Sequence, residues 1–114
     1  MQRSTVYLLL ALLAPAPALA VGYGEALSPL LEGEFALQHG DGAGAARAYL
    51  LAAQASDDPA VAERAVQVAL NSQEAVLARQ GVDRWVALAP HDAGLDVGRL
   101  RLALLEDDAA AARA

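Results

Sequence analysis

Residues Glu34 to Asp41 read EFALQHGD. The chain later reads QVALNSQE over Gln67 to Glu74 and RLALLEDD over Arg101 to Asp108. In each stretch an apolar residue (Phe35, Val68, Leu102) precedes an Ala-Leu pair, and an acid follows four residues after the leucine: Asp41, Glu74, Asp108. Alanines extend the match at Ala45, Ala78 and Ala112. The stretches are offset by 33 residues and then by 34. Self-similarity at such a period marks stacked supersecondary units, each too small to bury its own apolar face.

The residues between these stretches say what the units are. Alanine, leucine, arginine, glutamate and glutamine dominate, all favour helix, and β-branched residues are few. Ser28-Pro29 reads as a helix start, with serine as N-cap and proline in the first turn. That helix runs to about His39. Asp58-Pro59 repeats the signal and opens a helix to about Asn71. Pro90 ends a helix and Asp92 can cap the next. Second helices fall at roughly 42–56, 74–89 and 108 to the end. The expected fold is all-α: helix-turn-helix units over about 26–58, 59–92 and an incomplete 93–114, two and a half in all. Each repeated acid should sit at the start of a second helix, against its free amides and the positive end of its dipole.

Over residues 26 to 114 this pattern resembles the tetratricopeptide repeat family, whose unit is a pair of antiparallel helices. The first unit carries Gly33-x-x-Ala36, Gly40 and Ala45-x-x-x-Tyr49-x-x-Ala52; the second carries Ala69, Ala78 and the closing Pro90. Departures are present. Ala36 and Ala69 stand where the family has tyrosine, Val66 replaces the small residue opposite Gly33, and Trp85 matches Ala52. Gly81, Gly94 and Gly98 read as weak points in their helices. The resemblance implies an α-solenoid whose first helices line a concave protein-binding surface. On those helices Glu63, Gln67 and Asn71 form a stripe four residues apart. Glu34 with Gln38 makes the matching pair on the preceding unit, and Arg101 continues it on the next. This set implies a protein or peptide partner, neutral or basic in charge.

The glycines of HGDGAGA (residues 39–45) invite a phosphate-binding reading. That reading fails. A dinucleotide loop needs a strand before it, and helix-forming EFALQ stands there instead; Ala45 occupies the last glycine position. The chain has no lysine for a P-loop. Gly40 instead suits the left-handed residue that ends a helix, with Asp41 leading the next.

Chemistry is otherwise excluded more than suggested. No cysteine is present, so thiolate nucleophiles, disulfides and thiolate metal sites are absent. His39 and His91 each lie at a helix end and lack metal-ligand spacing. Glu32 with Glu34 and Asp57 with Asp58 are sequence neighbours, not carboxyls held across a cleft. Ser28, Ser56 and Ser72 fall near caps. Trp85, with Leu77, Val82 and Leu88, reads as core. No catalytic residue, cofactor or metal is expected. Eight basic against 14 acidic residues argue against nucleic acid and anionic lipid.

The first 20 residues, MQRSTVYLLLALLAPAPALA, read as a cleaved signal peptide. Arg3 supplies the positive end, Val6 to Ala14 the apolar core, and Ala18-Leu19-Ala20 the small-x-small cut. The run is short of the ~20 residues of a membrane span. Export to a bacterial periplasm or beyond is expected, with residues 21–27 as a short lead into the helical region. Ala109 to Ala112 are too small to close an apolar face. The sequence therefore predicts self-association through the uncapped C-terminal helix, or the N-terminal repeat region of a longer protein or enzyme accessory subunit whose activity lies beyond residue 114. The functional expectation is a non-enzymatic scaffold of the bacterial envelope.

Overall fold

The computed structural model describes residues 24–113, and all regular structure there is helical. The expected signal peptide and its cut lie outside the described residues. A single 3-10 turn, Gly24–Ala26, leads into α1 (Leu27–Gln38), followed by α2 (Gly42–Ala55), α3 (Pro59–Asn71), α4 (Ala75–Leu88) and α5 (Leu95–Arg113). Each helix packs on the next. Beyond that, α2 packs on α4 and α3 on α5, while among the described residues α1 packs on α2 and the turn before it.

Two hairpin turns share one geometry. Asp41 N–H donates to Ala36 O at 2.9 Å, and Gly40 N–H donates to Leu37 O at 3.1 Å. In the next hairpin Glu74 N–H donates to Ala69 O at 2.9 Å and Gln73 N–H to Leu70 O at 3.1 Å. This paired closure returns two orphan carbonyls at each helix end, and it requires a left-handed residue at its centre. Gly40 takes φ +72° as the sequence suggests, and Gln73 takes φ +58° without being glycine. The acids follow as expected in position. Asp41 accepts from Gly44 N–H at 2.8 Å, whereas Glu74 makes no side-chain cap bond.

Helix starts divide between expected and not. Asp58 caps α3 by accepting from Ala60 N–H at 2.9 Å, with Pro59 opening the helix. Ser28 caps nothing. The 3-10 turn feeds helical backbone into Leu27, so Ala26 holds the cap position and Ser28 lies exposed within the first turn. Asp92 accepts from Gly94 N–H at 2.9 Å and leads into α5.

The third unit is where the expected pattern breaks. No helix starts at residue 108; α5 runs unbroken from Leu95 to Arg113. A hairpin needs a following helix with an apolar face to fold back, and the alanine run 109–112 has little such face but the best helix propensity. The buried stripe of α5 is Leu95, Gly98 and Leu102, which lies 33 residues after Ala62, Ala65 and Ala69. Leu104, aligned by sequence at the 34-residue offset, is 58% exposed. Burial thus keeps one constant offset where sequence similarity slips by a residue.

Small side chains build the core. Ala45, Ala46, Ala52, Ala53, Ala62 and Ala78 are fully buried, beside Tyr49, Val66, Leu95 and Leu102. The glycines read as weak points are packing sites. A Cβ on Gly81 would meet Val66 Cγ2 at 3.0 Å, and one on Gly98 would meet the Trp85 ring at 3.1 Å. Gly33 does the same for Tyr49, at 2.6 Å. The two hairpins are therefore complementary inversions. In one, the small residue is on the first helix (Gly33) and the large one on the second. In the other, Val66 is large and Gly81 small.

Two substitutions should move stability in opposite directions. Gly33→Ala forces the Tyr49 ring aside and should cost about 1–2 kcal/mol, despite alanine's better helix propensity. Gln73→Gly relieves a left-handed side chain and should gain up to about 1 kcal/mol. Urea unfolding followed by circular dichroism checks both signs.

Candidate functional site

A groove runs between α3 and α5 with α4 beneath it. Its volume is about 170 Å³, and its walls include Glu63, Gln67 and Arg101. Three of the six residues predicted from sequence thus meet at one place. A fourth, Asn71, accepts a hydrogen bond from Arg101 Nη2 at 3.0 Å and closes one end. Glu63, Gln67 and Asn71 lie on one face of α3 because they are four apart. At 1.5 Å of rise per residue, Glu63 stands roughly 12 Å along the helix from the Asn71–Arg101 pair. The groove therefore has an acidic end, a neutral middle and a guanidinium end.

Its floor is apolar, Val66, Leu70 and the buried Trp85, and the exposed Val97 stands at its wall. Gly94 and Gly98 sit close over the indole and let α5 approach it. Trp85 Nε1 donates to Asp92 Oδ2 at 3.1 Å, which satisfies the one polar atom of the indole and fixes its plane. The core reading of Trp85 holds. The apolar lining residues Leu70 and Val97 escaped the sequence reading because groove membership depends on how α5 crosses α3, a tertiary fact.

The other predicted pair lies elsewhere. Glu34 accepts from the Tyr49 hydroxyl and stands 3.8 Å from Arg64 Nη2. The Arg64 guanidinium lies over the Tyr49 ring, 5.5 Å from its centre. Burial first, and then the hydrogen bond to Glu34, push the Tyr49 hydroxyl above the ordinary tyrosine range, against the opposing influence of Arg64. Gln38 is exposed at the end of α1. Since α1 makes no backbone-level contact with α3, Glu34 and Gln38 do not extend the α3–α5 groove. Glu34 ties α1 to α2 through Tyr49 and to α3 through Arg64.

A second, larger cleft of about 460 Å³ opens between α4 and α5, lined by Arg79, Val82, Asp83, Val86, Arg99 and Leu102. Arg79 Nη2 pairs with Glu106 at 2.5 Å across it. The remaining sequence candidates are structural. His39 Nδ1 donates to Phe35 O at 2.8 Å, and Ser56 accepts from Asp58 N–H. Arg84 donates to Ala53 O and Ser56 O, tying α4 to the end of α2. Among the described residues no group of His, Asp and Glu has metal-binding geometry, and no helix is long and apolar enough to cross a membrane.

Comparison with protein-family models, with curated proteins and with solved structures gave no match.

Tyr49 gives the molecule an alkaline signature. The folded chain holds the phenol proton more tightly than the unfolded chain does. That contribution to stability is complete below the ordinary tyrosine pKa of about 10 and is lost as pH rises through the raised value. Tyr49→Phe should lower stability at neutral pH by about 1 kcal/mol, from the lost hydrogen bond. It should also flatten the loss above pH ~10. Thermal melts from pH 8 to 11 on both proteins measure this.

Proposed function

We propose that this chain is an exported protein-binding module built of tetratricopeptide-like helical repeats, serving assembly or maintenance of a bacterial envelope. The observation that carries the binding reading is the α3–α5 groove, where Glu63, Gln67 and Arg101 rim an apolar floor. At about 170 Å³ it falls below the roughly 300–1,000 Å³ of small-molecule sites. It suits one bulky side chain of a peptide segment. Glu63 has no ion-pair partner among the described residues, and it favours a cation beside that side chain.

The repeat reading draws support from the two hairpin turns, whose closures recur residue for residue at an offset of 33: Ala36 and Ala69, Asp41 and Glu74, Ala45 and Ala78. Contacts of each helix with the next, and of α2 with α4 and α3 with α5, are those of a stacked array. The export reading rests on Arg3, the apolar run Val6 to Ala14 and Ala18-Leu19-Ala20.

Site-specific photocrosslinking in cells of the source organism tests the groove. A crosslinker at Gln67 or Val97 should trap a discrete partner, and the Glu63→Lys background should reduce that product at least about 10-fold, as expected for reversing a charge against a cationic segment. A crosslinker at the exposed Gln54 of α2 should trap none of it. Equal products from all three positions would defeat the reading. Amino-terminal sequencing of the exported protein should begin at Val21.

A further inference from the structure

Position by position, the α4–α5 cleft corresponds to a seat that is filled one hairpin earlier. Subtracting the 33-residue offset takes Arg79, Val82, Asp83, Val86, Arg99 and Leu102 to Ala46, Tyr49, Leu50, Ala53, Val66 and Ala69. All six of those are buried, and α4 packs against both helices that carry them. A helix standing to α4 as α4 stands to α2 would therefore lie in the cleft. Among the described residues no helix occupies that seat. Its floor is apolar, through Val82, Val86 and Leu102, but its rim has changed character: Arg79, Asp83 and Arg99 replace alanine, leucine and valine. Arg79 is taken by Glu106 at 2.5 Å, and Asp83 lies one turn from Arg79 on the same helix. Arg99 has no hydrogen bond or ion pair among the described residues. The seat thus calls for a helix with an apolar face and an acid beside it.

The opposite end of the molecule presents such a helix. On α1, Leu31 is 61% and Phe35 64% exposed, and they are four residues apart on one face. Glu32 flanks both, three residues before Phe35, and α1 contains no basic residue. Among the described residues α1 packs on α2 and the turn before it and reaches α3 through the Glu34–Arg64 pair, which leaves Leu31 and Phe35 exposed, with His39 stacked beside Phe35.

We infer that the protein associates head to tail, the Leu31–Phe35 face of α1 in one copy seating in the α4–α5 cleft of the next, with Glu32 against Arg99. Such a contact joins two different surfaces, so it propagates: each copy added leaves a free α1 and a free cleft. The α3–α5 groove takes no part in it, so this inference stands or falls separately from the peptide-binding one.

Sedimentation velocity over a concentration series is the test. The weight-average mass should climb past the dimer with no plateau, and fall back as salt rises. Phe35→Glu blocks the head and Arg99→Glu blocks the tail; both residues are exposed, and circular dichroism should show unchanged helix content. Each variant alone should be monomeric. Their equimolar mixture should form a 1:1 complex and nothing larger, since each keeps the surface that the other lacks. The double charge exchange, Glu32→Arg with Arg99→Glu in one chain, should restore assembly to within about 10-fold of the parent constant, as a swapped ion pair would. A parent protein that stays monomeric throughout would overturn the inference. So would a closed dimer whose two blocked variants fail to complement.

Discussion

Alanine at the helix contacts sets the spacing to which the other residues conform. With Ala45, Ala46, Ala52, Ala53, Ala62, Ala65 and Ala69 at the interfaces, all almost without exposure, small side chains let neighbouring backbones approach closely. Packed so, each large side chain needs a matching absence. Tyr49 has Gly33, Val66 has Gly81, and Trp85 has Gly94 and Gly98. The pairs form independently of which helix contributes the small partner, so the second hairpin can exchange small for large and still close. The same closeness leaves little room for polar groups inside. The side-chain hydrogen bonds that cross between helices therefore run along the edges, at Tyr49–Glu34, Arg84–Ala53, Arg79–Glu106 and Arg101–Asn71.

How much of this was legible in the sequence depended on the range of the interaction that decides each feature. Local signals were reliable. Asp58-Pro59 opened α3, Gly40 took the left-handed turn, Asp41 capped α2, and Pro90 followed the end of α4. Gln73 was legible only through its place in the period, because nothing in glutamine favours positive φ. Ser28 misled because capping depends on the backbone before it, and the 3-10 turn had already committed that backbone to helix. The break expected at Asp108 failed for a related reason. An acid can lead a helix only if something has turned the chain, and α5 never turns.

The candidate site was half legible. Helical spacing placed Glu63, Gln67 and Asn71 on one face, and Arg101 joined them through α5. Glu34 and Gln38 occupy equivalent places in sequence but not the same surface, since α1 and α3 splay where α3 and α5 close. Periodicity reports which face a residue is on; it does not report how far the neighbouring helix stands away. That distance follows from what stands between: at α5 it is Gly94 and Gly98 that let the helix close over Trp85 toward α3.

The contact order of the helices has a kinetic consequence. Each one touches partners no more than two steps along the chain, so almost every contact closes a short loop and little entropy is lost in finding it. Structure can begin in the α2–α3–α4 middle, where each helix has the most neighbours, and spread outward. The reverse holds for opening. With fewer neighbours than α3 among the described residues, α1 should exchange its amide protons sooner, through partial openings that leave the centre intact. The molecule would then shed and regain an end many times within the lifetime of its core, and whatever binds that end would slow the exchange without touching the middle.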